Sequence, residues 1–352
     1  MCREGAVWTP LDGGGMETAT THISRRCRPI IASAVIASAL LASIAARTPA
    51  ASGTPSVGAQ FSQTRAVAHR RSVRPAYGWP VKPFNRQHPV RANLNDPRNG
   101  HGDAKSFHFG IDITDPVGAA VYAVEGGKVF LTRGRMAVAV VGSTSTFGYW
   151  HVKPAVRNHQ IVRLHQLLGH VIDEGGGAHV HFAERSRGNG LYLNPLRPGG
   201  IGPYVDRTPP RVATVEFLHK GREVDANALT GRVDIVAEIS DTAPMLVPAP
   251  WSHMPVTPAT VGWSLSHGGR PIRAERTIIN SDHMLPGRLY NAIYAPGTTQ
   301  NWVGAPGHYR FYIARGLDAS RLPAGVSRLR IDAADTRGNR TVARIEIAPA
   351  AQ

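Results

Sequence analysis

Downstream of residue 79 the chain is written in short runs that alternate apolar and polar positions. Residues 107–114 read Phe-His-Phe-Gly-Ile-Asp-Ile-Thr. In an extended segment Phe107, Phe109, Ile111 and Ile113 share one apolar face, and His108, Gly110, Asp112 and Thr114 share the other. Residues 177–184, Gly-Ala-His-Val-His-Phe-Ala-Glu, repeat the pattern, with His179 and His181 on one face and Val180 and Phe182 behind. Further runs fall at 212–217, 233–239, 260–265, 309–314, 326–333 and 341–347. Gly338-Asn339, after Asp335-Thr336-Arg337, separates the last two as a hairpin turn does. Six short strands with turn signals between them predict an immunoglobulin-like β-sandwich over 209–352. The Pro-rich stretches 243–258 and 284–307 read as its loops, and Thr208-Pro209-Pro210 marks the boundary with a first structured segment, 79–205.

The N-terminus has a different pattern. Arg25-Arg26-Cys27-Arg28 precedes an uncharged run from Ile30 to Ala46, followed by Arg47 and the small residues Thr48-Pro49-Ala50-Ala51-Ser52. A basic flank, a short apolar core and small residues at the exit read as a secretory signal over 1–51, with Met16 an alternative start. If uncleaved, the same run is at the short end of the ~17–25 residues needed to span a bilayer. Residues 52–78 are aperiodic and read as a linker or leader.

Composition supports this division. Gly 37 and Pro 27 of 352 residues are too many for a mostly helical protein and favour turn-rich β structure. Both cysteines, Cys2 and Cys27, precede the expected cut, so the mature chain carries no disulfide, thiol nucleophile or Cys-ligated zinc. The full chain has a net charge of +16, and removal of residues 1–51 leaves +14. An exported chain of that charge points to an anionic envelope, including anionic wall polymers, rather than to intracellular nucleic acid.

The candidate chemistry lies on the polar faces of the two strands. On a straight strand His108 and Asp112 are roughly 13 Å apart, too far to share an ion whose bonds are about 2.0–2.2 Å long. A kink at Gly110 removes that objection, because glycine permits a bulge there. His179 and His181 stand about 6.6 Å apart by strand rise. One of them can bind a metal while the other lies one pleat away. A third imidazole, His151, follows Phe147-Gly148-Tyr149-Trp150. Two imidazoles and one carboxylate with an open fourth position make a catalytic rather than a structural zinc set. No His-Glu-x-x-His, Gly-x-Ser-x-Gly or Walker-type motif is present.

These residues resemble the lysostaphin-type, or LytM-like, zinc metalloendopeptidases that cut peptide cross-bridges of peptidoglycan. The likeness runs from about His88-Pro89-Val90-Arg91 to Pro198 and includes Asp96-Pro97-Arg98, the His108 strand, Val117–Val124 with Gly126-Gly127-Lys128-Val129, Tyr149-Trp150-His151-Val152, Ala178–Phe182 and Asn194-Pro195. It implies a compact antiparallel β fold over 79–205 with one Zn2+ held by His108, Asp112 and His181. It also implies catalytic roles for His151 and His179 beside the metal's open position. Gly176-Gly177-Ala178 stands where the family usually has Thr-Gly-Pro, and residues 209–352 lie outside the likeness. The implied protein is a secreted, wall-associated hydrolase whose partner is peptidoglycan. Two alternatives remain: a non-catalytic wall-binding or regulatory protein, and a D,D-carboxypeptidase-like zinc hydrolase. For 209–352 the choice is between a spacer or packing partner and a wall-ligand domain.

Overall fold

The computed structural model describes residues 59, 61–68, 73–99, 105–132, 134 and 136–351. The expected signal at 1–51 lies outside them. Among the described residues no helix is long and apolar enough to cross a membrane. Among the described residues helix is limited to Tyr290–Ile293 and short 3-10 turns such as Gly287–Leu289 and Ala319–Arg321, in keeping with the Gly- and Pro-rich composition.

Residues 77–201 build one apolar core from antiparallel strands. The larger sheet runs in the order Ile161–Val162, Gly127–Thr132, Ala137–Val141, Ser145–Trp150, His179–Ser186, Ile111–Thr114, Val90–Ala92. His179–Ser186 lies inside this sheet, paired on one side with Ile111–Thr114 and on the other with Ser145–Trp150. Alternation accounts for its two faces. Val180 and Phe182 are fully buried against Tyr149 and Phe147, and the imidazoles point the other way. A smaller sheet, Val152–Pro154, Leu167–Val171 and Ala120–Tyr122, covers the same core. Glu184, 3 % exposed, is structural: it accepts from Tyr77 Oη at 2.6 Å, Ser145 Oγ at 2.9 Å and the Arg197 guanidinium at 2.6 and 2.9 Å.

Residues 211–347 form two further antiparallel sheets whose apolar residues make one cluster. All six expected runs are strands, and Ser327–Ala334 and Arg340–Ile347 form the expected hairpin around Asp335–Asn339. Two strands escape the apolar pattern. Arg270–Asn280 is polar along most of its length because it is an exposed edge, pairing only with Thr260–His267. Ser62–Ala66, inside the expected linker, adds to the opposite edge against Arg340–Ile347. An edge strand with no side facing the core needs no apolar residues, so composition alone reads it as linker.

The two halves pack closely through the loop 93–99. Asp96 accepts from Thr257 N at 2.9 Å and from Asn93 N at 3.1 Å, and Asn93 Nδ2 donates to Thr257 O at 3.0 Å. Asn95 donates to Ser281 Oγ and His283 O, both at 3.1 Å. Residues from 209 onward are thus a packing partner of the first half, not a tethered bead.

Between the halves Asp206, Asp241 and Asp335 are 7 %, 4 % and 7 % exposed, with carboxylate oxygens within 4.8 Å of one another. Burial raises Asp206 to about 6, and burial also raises Asp335 and lifts Asp241 well above the usual carboxylate range. A folded-state value above the unfolded one means that the native state holds the extra protons. For Asp206 that stability is complete below about pH 3.8 and is lost as the pH rises through about 6; for Asp335 and Asp241 the sign is the same. Asp241→Asn should therefore stabilise the protein at pH 7.5 more than at pH 4. We expect a higher Tm for the variant at pH 7.5 and little or no gain at pH 4. Thermal unfolding of the two proteins at both pH values checks this; an equal shift at both would contradict it.

Candidate metal centre and active site

A bend at Gly110 makes the site possible. The chain leaves the strand Ser106–Phe107, turns through 108–110 and re-enters the sheet as Ile111–Thr114. A Cβ on Gly110 would lie 2.4 Å from Phe182 O and 3.0 Å from His181 Nε2, so only glycine allows this approach. The bend also divides the four residues expected on one core face. Ile111 and Ile113 enter the first core, Phe107 enters the core of the second half, and Phe109 stays half-buried beside the His181 ring, with centroids 4.2 Å apart.

With the chain bent, three side chains meet. Asp112 and His181 are directly paired across the sheet, and His108 swings in from the turn. His108 Nε2 is 2.8 Å from His181 Nδ1 and 3.0 Å from Asp112 Oδ1, and His181 Nδ1 is 3.1 Å from Asp112 Oδ1. All three residues are at most 6 % exposed. The other atoms of each group are turned away from this triangle. His108 Nδ1 donates to Asn93 O at 2.8 Å, which leaves Nε2 unprotonated and aimed inward. Asp112 Oδ2 accepts from Arg98 Nη2 at 3.1 Å, leaving Oδ1 for the centre. His181 Nε2 is buried with no partner among the described residues, so Nδ1 is the working nitrogen of that ring.

This donor set fits a zinc ion. Three acceptors at 2.8–3.1 Å repel one another unless a cation or proton lies between them. A tetrahedral ion with bonds of about 2.0–2.1 Å needs ligand–ligand edges of about 3.3 Å, close to those found. Two imidazole nitrogens and one carboxylate oxygen are also the ligands zinc prefers. Burial opposes ionisation of Asp112, but the close approach of His108, His179 and His181 outweighs it and holds the carboxyl well below its usual range. Burial pushes His181 well below the usual imidazole range. Both groups are thus deprotonated, as ligands must be.

His179 and His151 stand beside the triangle rather than in it. Their ring centroids are 4.3 Å apart, and His179 Nε2 is 3.6 Å from Asp112 Oδ1. Gly177 O is 2.7 Å from His179 Nδ1, and Arg91 Nη2 is 2.9 Å from the same nitrogen and 3.4 Å from Nε2. A neutral imidazole cannot satisfy both at Nδ1. We place the proton on Nδ1, donated to the closer Gly177 O, which leaves Nε2 as the free base. Burial pushes His179 down to about 3, and Arg91 and His151 push the same way. His151 follows the strand Ser145–Trp150 in a left-handed conformation, φ 60°, and its Nδ1 donates to Glu174 Oε2 at 2.5 Å.

Residues 106–195 match the model of Peptidase family M23. This segment, about a quarter of the chain, is similar to the M23 peptidases. The five residues singled out in sequence, His108, Asp112, His151, His179 and His181, all fall inside the M23 segment and come together in space. Among solved structures, the chain is similar to a zinc-containing peptidase from Vibrio cholerae, with 24 % identity over 35 % of this chain and 39 % of that one and a TM-score of 0.29. It is similar to a mutant catalytic domain of a prophage-encoded M23 protein from Enterococcus faecalis, with 23 % identity over 34 % of this chain and 98 % of that one and a TM-score of 0.28. The solution structure of lysostaphin shares 12 % identity over 78 % of this chain and 91 % of that one, with a TM-score of 0.26. The chain thus spans about two-fifths of the Vibrio cholerae peptidase. No curated protein matches it. The likeness to the M23 peptidases rests on the sequence match over residues 106–195.

Four contributors to the site carry nothing in their residue type or spacing that marks a role, although Arg91 and Arg98 stand in runs that carry the likeness. Arg91, Asn93 and Arg98 precede the M23 segment, and Glu174 lies in the loop before His179. A basic residue in so basic a chain reads as surface charge, and Asn93 acts through its carbonyl, which any residue could supply.

Proposed function

We propose that the chain is an exported zinc-dependent endopeptidase that hydrolyses peptide bonds in the cross-bridges or stem peptides of bacterial peptidoglycan. The observation that carries this reading is the triangle of His108 Nε2, Asp112 Oδ1 and His181 Nδ1 with two further imidazoles at its edge. A non-catalytic scaffold has no need to keep both the ligands and the flanking pair.

In this mechanism His108, Asp112 and His181 hold the ion. Zinc, when bound, supplies Lewis acidity that lowers the pKa of water and polarises the scissile carbonyl. His179 takes the proton of the attacking water at Nε2, because its Nδ1–H is committed to Gly177 O and its ring is neutral. His151 is oriented by Glu174 through Nδ1; in this role it also carries a proton on Nε2, which it donates to the developing oxyanion and then to the departing amine. Arg98 keeps the second Asp112 oxygen occupied, so that Oδ1 alone serves the ion. The net charge of +14 after removal of residues 1–51 supports an anionic wall as the surface on which the protein works.

Metal analysis and mass spectrometry of muropeptides test the proposal together. We expect one zinc per chain and release of uncrosslinked muropeptides from sacculi, both abolished by a chelator and restored by added zinc. The product masses distinguish internal cleavage from trimming of a terminal D-residue. Release that continues undiminished in chelator would overturn the zinc mechanism.

A further inference from the structure

The second half of the chain reaches the catalytic histidines. Trp251 lies between the strands Arg232–Thr242 and Pro255–Val256, is 8 % exposed, and packs in a small cluster with Val247 and Met254. Its ring lies 4.2 Å from the guanidinium carbon of Arg91, and Arg91 Nη2 is the group 2.9 Å from His179 Nδ1. The loop that carries His179 closes on the same pair. A Cβ on Gly177 would lie 2.9 Å from Trp251 Nε1 and 3.0 Å from Arg91 Nη1, at φ +79°. Indole, guanidinium, imidazole and the Gly177 backbone therefore form one packed stack beside the metal ligands.

Arg91 needs this stack. It is 7 % exposed, its Nη1 has no hydrogen-bond partner among the described residues, and its nearest carboxylate oxygen, Asp112 Oδ2, is 4.0 Å from Nε. A buried guanidinium so incompletely paired is costly to hold in place. The aromatic face supplies the missing attraction and fills the space into which the side chain would otherwise swing. We propose that Trp251 is a positioning residue of the catalytic centre: by holding Arg91 in the stack that packs against the His179 ring and the Gly177 backbone, to whose carbonyl His179 Nδ1–H donates, it makes residues 209–352 a working part of the hydrolase rather than a spacer. The proposal rests on the hydrolase reading above. It changes the expectation for the C-terminal half, whose effect on turnover should persist on substrates too small to engage a wall-binding surface.

The experiment measures kcat and KM on soluble muropeptide dimers, together with zinc content, for the full-length protein and four variants. Wild-type, zinc-dependent turnover establishes the hydrolase reading, and its absence would sink that reading on its own. Given turnover, we expect Trp251→Ala to lower kcat about 10- to 100-fold, the scale on which misplaced catalytic groups act. KM should change less than threefold and zinc content should not change. Trp251→Phe, which keeps an aromatic face, should recover most of the rate. Arg91→Lys keeps the charge but loses the planar fork, and should resemble Trp251→Ala. Val247→Ala loosens the same cluster without touching the guanidinium and should retain the wild-type kcat. The proposal is overturned if Trp251→Ala or Arg91→Lys turns over normally. It is equally overturned if Trp251→Phe or Val247→Ala loses as much as Trp251→Ala, because the effect would then be general loss of packing. Should Trp251→Ala fail to fold, the Trp251→Phe, Arg91→Lys and Val247→Ala proteins still decide the matter by the same criteria.

Discussion

His181→Ala should lose zinc and turnover together. The His181 ring supplies one of three atoms in a triangle with edges of 2.8, 3.0 and 3.1 Å, and removing it leaves only His108 and Asp112. The rings that pack on it, Trp150 and Phe109 at 5.1 and 4.2 Å, have no metal-binding atom to offer. Two ligands cannot complete the three-residue set of a catalytic zinc site. Zinc content should drop from one per chain to near zero, and muropeptide release should fall by on the order of 10³ or more, to the level of chelated wild type. The ring is 5 % exposed in a central strand, so its loss also leaves a cavity. His108→Ala, in the turn before the sheet, separates the effects. It should lose zinc in the same way without opening the centre of the strand. Retention of zinc by either variant, with clearance of sacculi, would break the assignment of ligands.

Legibility in the sequence followed which interaction each residue obeys. Strands that bury one face, such as Arg340–Ile347 with its burial alternating along its length, announce themselves, because period 2 is the whole signal. Edge strands do not: Ser62–Ala66 is exposed throughout and Arg270–Asn280 nearly so. The Gly110 kink was readable because a cation cannot be shared across a straight strand, whereas its effect on Phe107 and Phe109 was not. Which core each joins depends on the second half of the chain. The five chemically distinctive side chains of the site could be found by residue type and spacing. Their supports could not. Asn93 works through a backbone carbonyl, Arg98 through one carboxylate oxygen, and Trp251 stands 160 positions from Arg91. The choice between His179 and His181 as ligand is also tertiary, since both leave the strand on the same face. What separates them is that His181 faces Asp112 across the sheet and His179 faces Thr114.

The same distinction makes His179→Ala the complementary experiment. His179 Nε2 is 3.6 Å from Asp112 Oδ1, outside the triangle, and the His179 ring packs 4.3 Å from that of His151. Its removal leaves His108, Asp112 and His181 with every contact that orients them: Asn93 O on His108 and Arg98 on Asp112. Zinc content should remain at one per chain. Turnover should fall by about 10²–10⁴, the range for loss of a positioned proton acceptor, with the loss in kcat rather than KM. No other base is placed to substitute. His151, in its role as donor, already carries a proton on Nε2 as well as on the Nδ1 tied to Glu174, and Arg91, which also meets His179, remains protonated and cannot accept a proton. The paired outcome is decisive because the two histidines are two residues apart on one face of one strand and equally buried, at 6 % and 5 % exposed. A purely structural role would make both replacements alike. If His179→Ala loses zinc as His181→Ala does, the division between ligand and base fails; if it keeps zinc and full turnover, the base lies elsewhere.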